Sequence, residues 1–518
     1  MQNELIVDEL FLEYKTFFNK IKGDNSFYRL GKIFKTYNQY YIYDVGTGKV
    51  FSINKDIYMV LECLFDTNEF DSLFNLDLDI DSLKSALEKI KECILKENIL
   101  LAPAVTCFSG PHSLALEDYL EKNMSQLTLE VTERCNLRCK YCIYQDDHND
   151  FHTFSERDIT FDIAKKAIDF TYERTDDKFY IAFYGGEPLL NFDIIKQSVE
   201  YAEQLVNDKR LEFSMTTNAV LITEDIARYL AEHKFNVMVS LDGPEEIHNE
   251  NRIFKDGTGS FKYAIRGLKF LLDAYKDKPE ESLSISMVTT GPNYKEKYEK
   301  IQVFFDKTKW LPKLTVIPSY ASNGRFSSDY VLPNMKDDKL YINKGMDPIM
   351  EWSIEKQNSR YNKKSLFSNG QITQNLHVIH RRDLTEEPMK GYYFNGCCVP
   401  GSRRLHVNVK GEFLPCERVG TVPALGNVDS GFNIKNIKKY YVDDFMNEAV
   451  KYCKNCWAIH LCTSCYAECF DNDKVNLSYR HKGCEYVRHR LEQGLILYHE
   501  ILENDPESLR ELNDVELD

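Results

Sequence analysis

Cys135, Cys139 and Cys142 stand in the run Val131-Thr132-Glu133-Arg134-Cys135-Asn136-Leu137-Arg138-Cys139-Lys140-Tyr141-Cys142. An iron-sulfur cube takes four ligands, and this loop supplies three thiolates. A closed structural site would use all four positions, so the spacing leaves one iron open to a ligand from outside the protein. A zinc knuckle or an inert buried cysteine cluster would use the same residue types.

Further motifs separate these readings. Tyr184-Gly185-Gly186-Glu187-Pro188 joins two glycines, which let the backbone approach a ligand closely, to a carboxylate that accepts a charge-assisted hydrogen bond. Alone it would be a turn. In Ser240-Leu241-Asp242-Gly243-Pro244, Ser240 and Asp242 share one side of an extended chain and suit a pair of hydroxyls, the bland alternative being an Asp-Gly turn. Nine more cysteines follow: Cys397-Cys398, Gly411-x4-Cys416, Cys453-x2-Cys456-x5-Cys462-x2-Cys465-x3-Cys469, and Cys484. Zinc ribbons would also use such residues, and the company of the three-cysteine loop favours iron-sulfur clusters.

With Tyr141 as the aromatic of Cys-x3-Cys-x-aromatic-Cys, the chain resembles the radical S-adenosylmethionine (radical SAM) superfamily from about residue 126 to 490. The resemblance implies a 4Fe-4S cluster on Cys135, Cys139 and Cys142, its open iron chelated by the amino and carboxylate groups of SAM. It places Gly185, Gly186 and Glu187 at the SAM ammonium and Ser240 and Asp242 at the ribose. Tyr144, Asn218 and Arg252 are further SAM contacts by position. The C-terminal cysteines resemble the SPASM domain of peptide-maturing members, which holds two auxiliary 4Fe-4S clusters. That pattern assigns Cys453, Cys456, Cys462 and Cys484 to one of them. The other takes Cys398, Cys416 and Cys465, with Cys397 or Cys469 as alternatives. Two departures stand out. The family's x3 step after the x5 gap would land on Tyr466, and the cysteine that formylglycine-forming members carry six residues after Cys398 is Arg404 here. Three clusters, SAM and an external one-electron reductant of flavodoxin or ferredoxin type are thereby implied.

Elements must position these groups. Apolar β-rich runs at Leu127 to Thr132, Phe179 to Tyr184, Leu211 to Thr216, Val237 to Leu241, Leu283 to Thr289 and Leu314 to Pro318 alternate with helical stretches, which predicts a parallel sheet. Six units suit the partial (β/α)6 TIM-type barrel of the family, an α/β fold with its chemistry at the C-terminal strand ends. Two β-rich segments, Tyr40 to Val45 and Lys49 to Ile53, flank Gly46-Thr47-Gly48 as a hairpin, and helical patterns follow at Ile57 to Phe65 and Ile80 to Glu97. This ribbon with helices resembles the winged-helix-like peptide-recognition module of peptide-modifying enzymes, which binds a leader peptide as an added strand. A packing domain without a ligand is the plainer alternative. The predicted organisation is therefore 1–105 peptide-recognition domain, 106–125 linker, 126–320 radical SAM partial barrel, 321–394 bridging region with a helical stretch at Pro348 to Gln357, 395–490 SPASM iron-sulfur domain, and 491–518 C-terminal helix and tail.

At 518 residues the chain exceeds the usual size of one core. Its 65 basic and 81 acidic residues give a net charge of -16, which argues against nucleic acid or an anionic membrane as the main partner. No signal peptide and no apolar run of about 18 residues is readable, so a cytoplasmic protein outside the membrane is expected. In that compartment the 15 cysteines read as metal ligands rather than disulfides. Cys63, Cys93 and Cys107, scattered outside the clusters, read as buried small hydrophobes.

The expected function is installation of sulfur-to-carbon thioether crosslinks, from cysteine to Cα or Cβ of an acceptor residue, in a ribosomally made, cysteine-rich precursor peptide. Formylglycine-forming sulfatase activation and carbon-carbon crosslinking are alternatives within the same chemistry. A non-catalytic iron-sulfur electron-transfer protein is the alternative from another class, and it leaves Gly185-Gly186-Glu187 and Ser240-x-Asp242 without a purpose.

Overall fold

The computed structural model describes residues 2–145, 152–206, 210–289, 293–312, 314–320, 375–394, 396–467, 469–471 and 474–513. Residues 321–374 of the expected bridging region, with the helical stretch at Pro348 to Gln357, lie outside the described residues.

The six expected β-rich runs are strands. β4 (Gln126–Thr132), β5 (Lys178–Gly185), β6 (Arg210–Thr217), β7 (Phe235–Ser240), β8 (Leu283–Thr289) and β9 (Thr315–Tyr320) pair in parallel and in sequence order. (β1 to β3 belong to the N-terminal part described below.) Helices Phe161–Tyr172, Phe192–Leu205, Glu224–Glu232, Phe261–Ala274 and Tyr294–Lys307 return the chain between them. Thr160 and Thr223 start two of these helices by accepting from the backbone N–H groups of Ile163 and Ile226.

Alternation along the strands divides the sheet into two chemically different faces. Leu127, Leu129 and Val131 of β4, Phe179, Ile181 and Phe183 of β5, Phe213 and Met215 of β6 and Phe235, Val237 and Val239 of β7 are all buried. Phe183, Phe213 and Phe235 stack with centroids 5.3–6.4 Å apart. The intervening positions carry Thr128, Glu130, Tyr184, Ser214, Thr216, Asn236 and Ser240 on the opposite face. Because the strands run in parallel, their C-terminal ends share one edge, where the sequence places its motifs.

The sheet does not end with these six. β10 (Arg404–Val407) pairs in parallel with β4, and β11 (Glu412–Leu414), β12 (Gly426–Asn427) and β13 (Gly431–Phe432) follow antiparallel, giving the order β13-β12-β11-β10-β4-β5-β6-β7-β8-β9. The cysteine-rich C-terminal part thus continues the sheet of residues 126–320.

In the N-terminal part, β1 (Gly31–Lys35), β2 (Tyr40–Asp44) and β3 (Val50–Ile53) form an antiparallel sheet beside helices Lys55–Thr67 and Ile80–Glu97. The hairpin and both helices match the pattern in the sequence. The helix Gln2–Lys22 and β1 carry no such signal, β1 because only Ile33 and Phe34 mark it among lysines. This sheet packs on the C-terminal helix Cys484–Asn504. Lys32 pairs with Glu492 at 2.9 Å, Thr36 and Tyr41 donate to Glu503 at 2.7 and 2.9 Å, and Phe34 meets the His499 ring at 5.1 Å. Two expectations need correction. Residues 106–125 are more than a linker, since helices Pro111–Leu114 and Leu116–Lys122 bury Leu116 and Leu120. Cys107 is exposed, whereas Cys63 and Cys93 are half-buried and pack against the core. Among the described residues no helix is long and apolar enough to cross a membrane.

Candidate active site

The three-cysteine loop leaves the C-terminal end of β4 and is held by backbone. Arg138 and Lys140 N–H groups donate to the carbonyls of Ile253 (2.7 Å) and Asn251 (3.0 Å), on the segment after β7. Inside the loop the Arg138 guanidinium donates to the Cys135 carbonyl at 2.8 Å, and Gln145 Nε2 to that of Cys139 at 2.8 Å. Cys135, Cys139 and Cys142 are near enough for each thiolate to feel another. Burial dominates, raising all three thiols and Cys139 to about 12. Three thiols on one backbone-clamped loop, costly as bare thiolates, form a donor set that suits a metal, which removes that cost.

The glycines of Gly185-Gly186-Glu187 serve an approach of the chain to itself. A Cβ on Gly186 would lie 2.1 Å from the Arg134 carbonyl oxygen, and one on Gly185, whose φ is +146°, 2.3 Å from that of Thr132. Gly186 N–H donates to Thr132 and Glu187 N–H to Arg134, both at 2.8 Å. β5 thereby grips the residues just before Cys135. The Glu187 carboxylate is buried and accepts from Thr217 Oγ1 (2.7 Å), Asn218 N–H (2.9 Å) and Leu189 N–H (3.3 Å). Burial still pushes it up to about 7 against the pull of those donors. Asn218 in turn donates from Nδ2 to Asn136 Oδ1 at 2.8 Å, tying β6 to the cysteine loop.

Asp242 is equally committed. Its Oδ2 accepts from the Tyr141 hydroxyl at 2.6 Å and lies 3.0 Å from Arg252 Nε, while Oδ1 accepts from Val288 N–H at 2.9 Å. Arg252 also sits over the Tyr141 ring, 5.4 Å from its centroid. Ser240 ends β7, half-buried on the polar face. Tyr144 is buried and stacks on His152 at 4.5 Å. All the residues expected around SAM therefore gather at the C-terminal strand edge, but the carboxylates of Glu187 and Asp242 hold this edge together through protein partners.

The C-terminal cysteines also converge. Cys453, Cys456, Cys462 and Cys484 line one pocket with Arg480 and Arg488. Cys416 is within electrostatic reach of Cys465, and the buried Cys397 of Cys465, Cys469 and Cys462. Cys398 is exposed, with His112 Nε2 3.0 Å from its carbonyl oxygen. Cys469 is fully buried and its Sγ donates to the Cys465 carbonyl at 3.2 Å. Arg480 stands between the groups, 3.9 Å from Cys462 Sγ and 4.0 Å from Cys469 Sγ.

Sequence reasoning missed a polar group in the same region. Glu130 of β4, buried, pairs with His152 Nε2 at 2.6 Å and receives Val409 N–H at 3.4 Å. The buried His406 of β10 lies close by. Glu130, Glu133 and His152 could bring one ligand atom each within 4.8 Å, but Arg157 Nε already sits 2.8 Å from Glu133, which opposes a cation there. The available signal was a carboxylate in the otherwise apolar and hydroxyl-bearing run Leu127-Thr128-Leu129-Glu130-Val131.

The radical SAM superfamily model matches residues 129–302. A cysteine-type anaerobic sulfatase-maturating enzyme of Clostridium novyi (strain NT) is 27% identical over 361 residues, covering 66% of this chain and 87% of that protein. The radical SAM cyclopropyl synthase TigE of Paramaledivibacter caminithermalis is 22% identical over 477 residues, 86% of this chain and 90% of that one. The solved structure of native anSMEcpe with bound AdoMet and Kp18Cys peptide matches with a TM-score of 0.52 at 21% identity, over 73% of this chain and 99% of that chain. That likeness is one of fold.

Proposed function

Residues 129–302 are a radical SAM domain, and from that premise we propose that this enzyme installs thioether crosslinks in a cysteine-rich precursor peptide. Cys135, Cys139 and Cys142 would hold the SAM cluster. Cys453, Cys456, Cys462 and Cys484 would hold one auxiliary cluster, and Cys398, Cys416 and Cys465 the other, with Cys397 beside them. When bound, the SAM cluster and SAM supply a 5'-deoxyadenosyl radical able to remove hydrogen from an acceptor carbon. The chain's own part is orientation. Gly185, Gly186, Glu187, Asn218, Ser240, Asp242, Arg252 and Tyr144 fix the loop and the adjoining strand ends against which SAM would lie.

One observation carries this reading. A cavity of about 180 Å³ is lined both by Tyr144, two residues beyond the cysteine loop, and by Cys416 of the auxiliary group. A peptide in that space would meet a hydrogen-abstracting centre on one side and a thiol-binding iron on the other. The leader would be held by the N-terminal sheet. β3 ends the strand order, while residues of β1 and the β1–β2 turn are packed against the C-terminal helix, so β3 is the edge we assign to an added strand. A flavodoxin or ferredoxin would supply electrons.

The sulfatase-maturating relative favours a second reading, formylglycine formation, and TigE keeps carbon-carbon bond formation open. Tandem mass spectrometry separates them. Reconstituted enzyme is incubated anaerobically with SAM, a reductant and cysteine-rich peptides from reading frames flanking its gene. Loss of two hydrogens per cysteine with the thiol blocked to alkylation supports thioethers. The same loss with thiols still alkylated indicates carbon-carbon links, and loss of cysteine sulfur indicates formylglycine. Either of the last two results ends the thioether reading.

A further inference from the structure

The cavity that Tyr144 and Cys416 share contains an unexplained base. β10 pairs with β4 so that His406 lies opposite Thr128, on the face that also carries Glu130. His406 lines the cavity, is 4% exposed, and has no hydrogen-bond partner at Nδ1. An unsatisfied buried nitrogen is costly, so this site gains when a ligand brings a donor.

The neighbouring groups are already committed. His152 faces oxygen at both ring nitrogens, the Thr153 carbonyl at 3.1 Å and Glu130 at 2.6 Å, an arrangement that suits the imidazolium form, which has no lone pair to offer. Burial opposes that charge, but the hydrogen bond to Glu130 prevails and raises His152. Burial likewise acts to raise Glu130, yet the hydrogen bond from His152 and the charge of that ring bring it below its ordinary range. Glu133 is held by Ser155 and Arg157. Lys410, on the β10–β11 turn, and Glu412, which begins β11, are exposed lining residues, a cation and an acid. His406 Nδ1 is the ring nitrogen left without a partner. Burial and the charge of nearby His152 lower His406, which favours its neutral imidazole, while Glu130 and Glu417 would stabilise the cation it becomes on accepting a proton.

We propose that His406 is the general base that takes the proton from the sulfhydryl of a peptide cysteine seated in this cavity. The S–H bond breaks, the proton goes to the imidazole, and the electron pair stays on sulfur as a thiolate facing the Cys416 side. No oxidant enters this step. The assignment rests on the cysteine-peptide reading above and names the group that reading lacks.

The test uses the full reconstituted chain and cysteine-rich peptides from reading frames flanking its gene, with crosslinked peptide and 5'-deoxyadenosine measured in the same mixtures. His406→Gln should slow crosslinking about 100-fold or more, the usual worth of a general base, while SAM cleavage, which needs no thiol, continues. His406→Ala should regain part of its crosslinking when imidazole is added, a response that lost packing would not produce. Crosslinking by His406→Gln at the wild-type rate overturns the assignment. So does parallel loss of both products in both variants without imidazole rescue. A wild type that cleaves SAM yet never consumes a peptide thiol overturns the cysteine-peptide reading itself, and the base with it.

Discussion

Gly186→Ala tests whether the glycine pair serves the cysteine loop. The added methyl would meet the Arg134 carbonyl oxygen at 2.1 Å, the Arg134 carbonyl carbon at 2.5 Å and the Cys135 nitrogen at 3.1 Å. All three are backbone atoms, so no side-chain rotation relieves the contact. Reaching the 3.0 Å below which real Cβ contacts essentially never fall requires 3.0 minus 2.1, about 0.9 Å of movement in the residues that lead into Cys135. Overpacking of this kind costs about 1–3 kcal/mol. Losing the Glu187 and Gly186 backbone hydrogen bonds to Arg134 and Thr132 adds about 1 kcal/mol each, for a total of about 3–5 kcal/mol. Metal-ligand distances tolerate only about 0.2 Å, so the displacement is also several times what a cysteine ligand can absorb. The expected result is a lower thermal midpoint, with bound iron falling to the level of a variant in which Cys135, Cys139 and Cys142 are all alanine. SAM cleavage should be lost in both. A Gly186→Ala protein with wild-type iron and an unchanged midpoint would refute the packing argument.

Asp242→Asn leaves the buried Arg252 without its charge partner and turns an amide toward donors, so unfolding stability should fall by about 3–5 kcal/mol, checked by urea denaturation of the apo chain. Glu187 titrates near 7 in the folded chain but near 4.5 when unfolded. Below about 4.5 both states hold the proton; between 4.5 and 7 only the folded state does, so this group's contribution to stability falls as pH rises through that window. Glu187→Gln should abolish that component of the urea midpoint against pH, and an unchanged profile would count against the burial argument. Gly267→Ala would place a methyl 2.0 Å from the Ala219 carbonyl oxygen, beside Asn218, and should lower the thermal midpoint and weaken SAM binding by isothermal titration; unaltered binding would separate this helix contact from the site.

Local chemistry made much of this protein legible in advance. Six strands were readable because each is a short apolar run bounded by polar turns, and that periodicity is a property of the run itself. The three cysteines were readable because their spacing places three thiols on one loop wherever the loop lies. The N-terminal hairpin was readable from Gly46-Thr47-Gly48 between two β-rich segments. The glycines of Gly185-Gly186-Glu187 were read as letting the backbone approach a ligand; what they approach in the fold is the Thr132–Arg134 backbone, a partner no turn signal names. Asp242 reaches Tyr141 across 101 residues, and only the parallel order of β4 to β8 brings them together. β10 has four residues, too few for a periodic signal, and it pairs with β4, one of the two edges of the six parallel strands. That pairing places His406 beside Glu130. The sequence by itself determined which residues could do chemistry and which segments would become strands, because both follow from side-chain type and spacing. Their conversion into one cavity with a buried, uncommitted imidazole was decided by the tertiary structure, because pairing between distant strands depends on hydrogen-bonding edges that exist only once the sheet has formed.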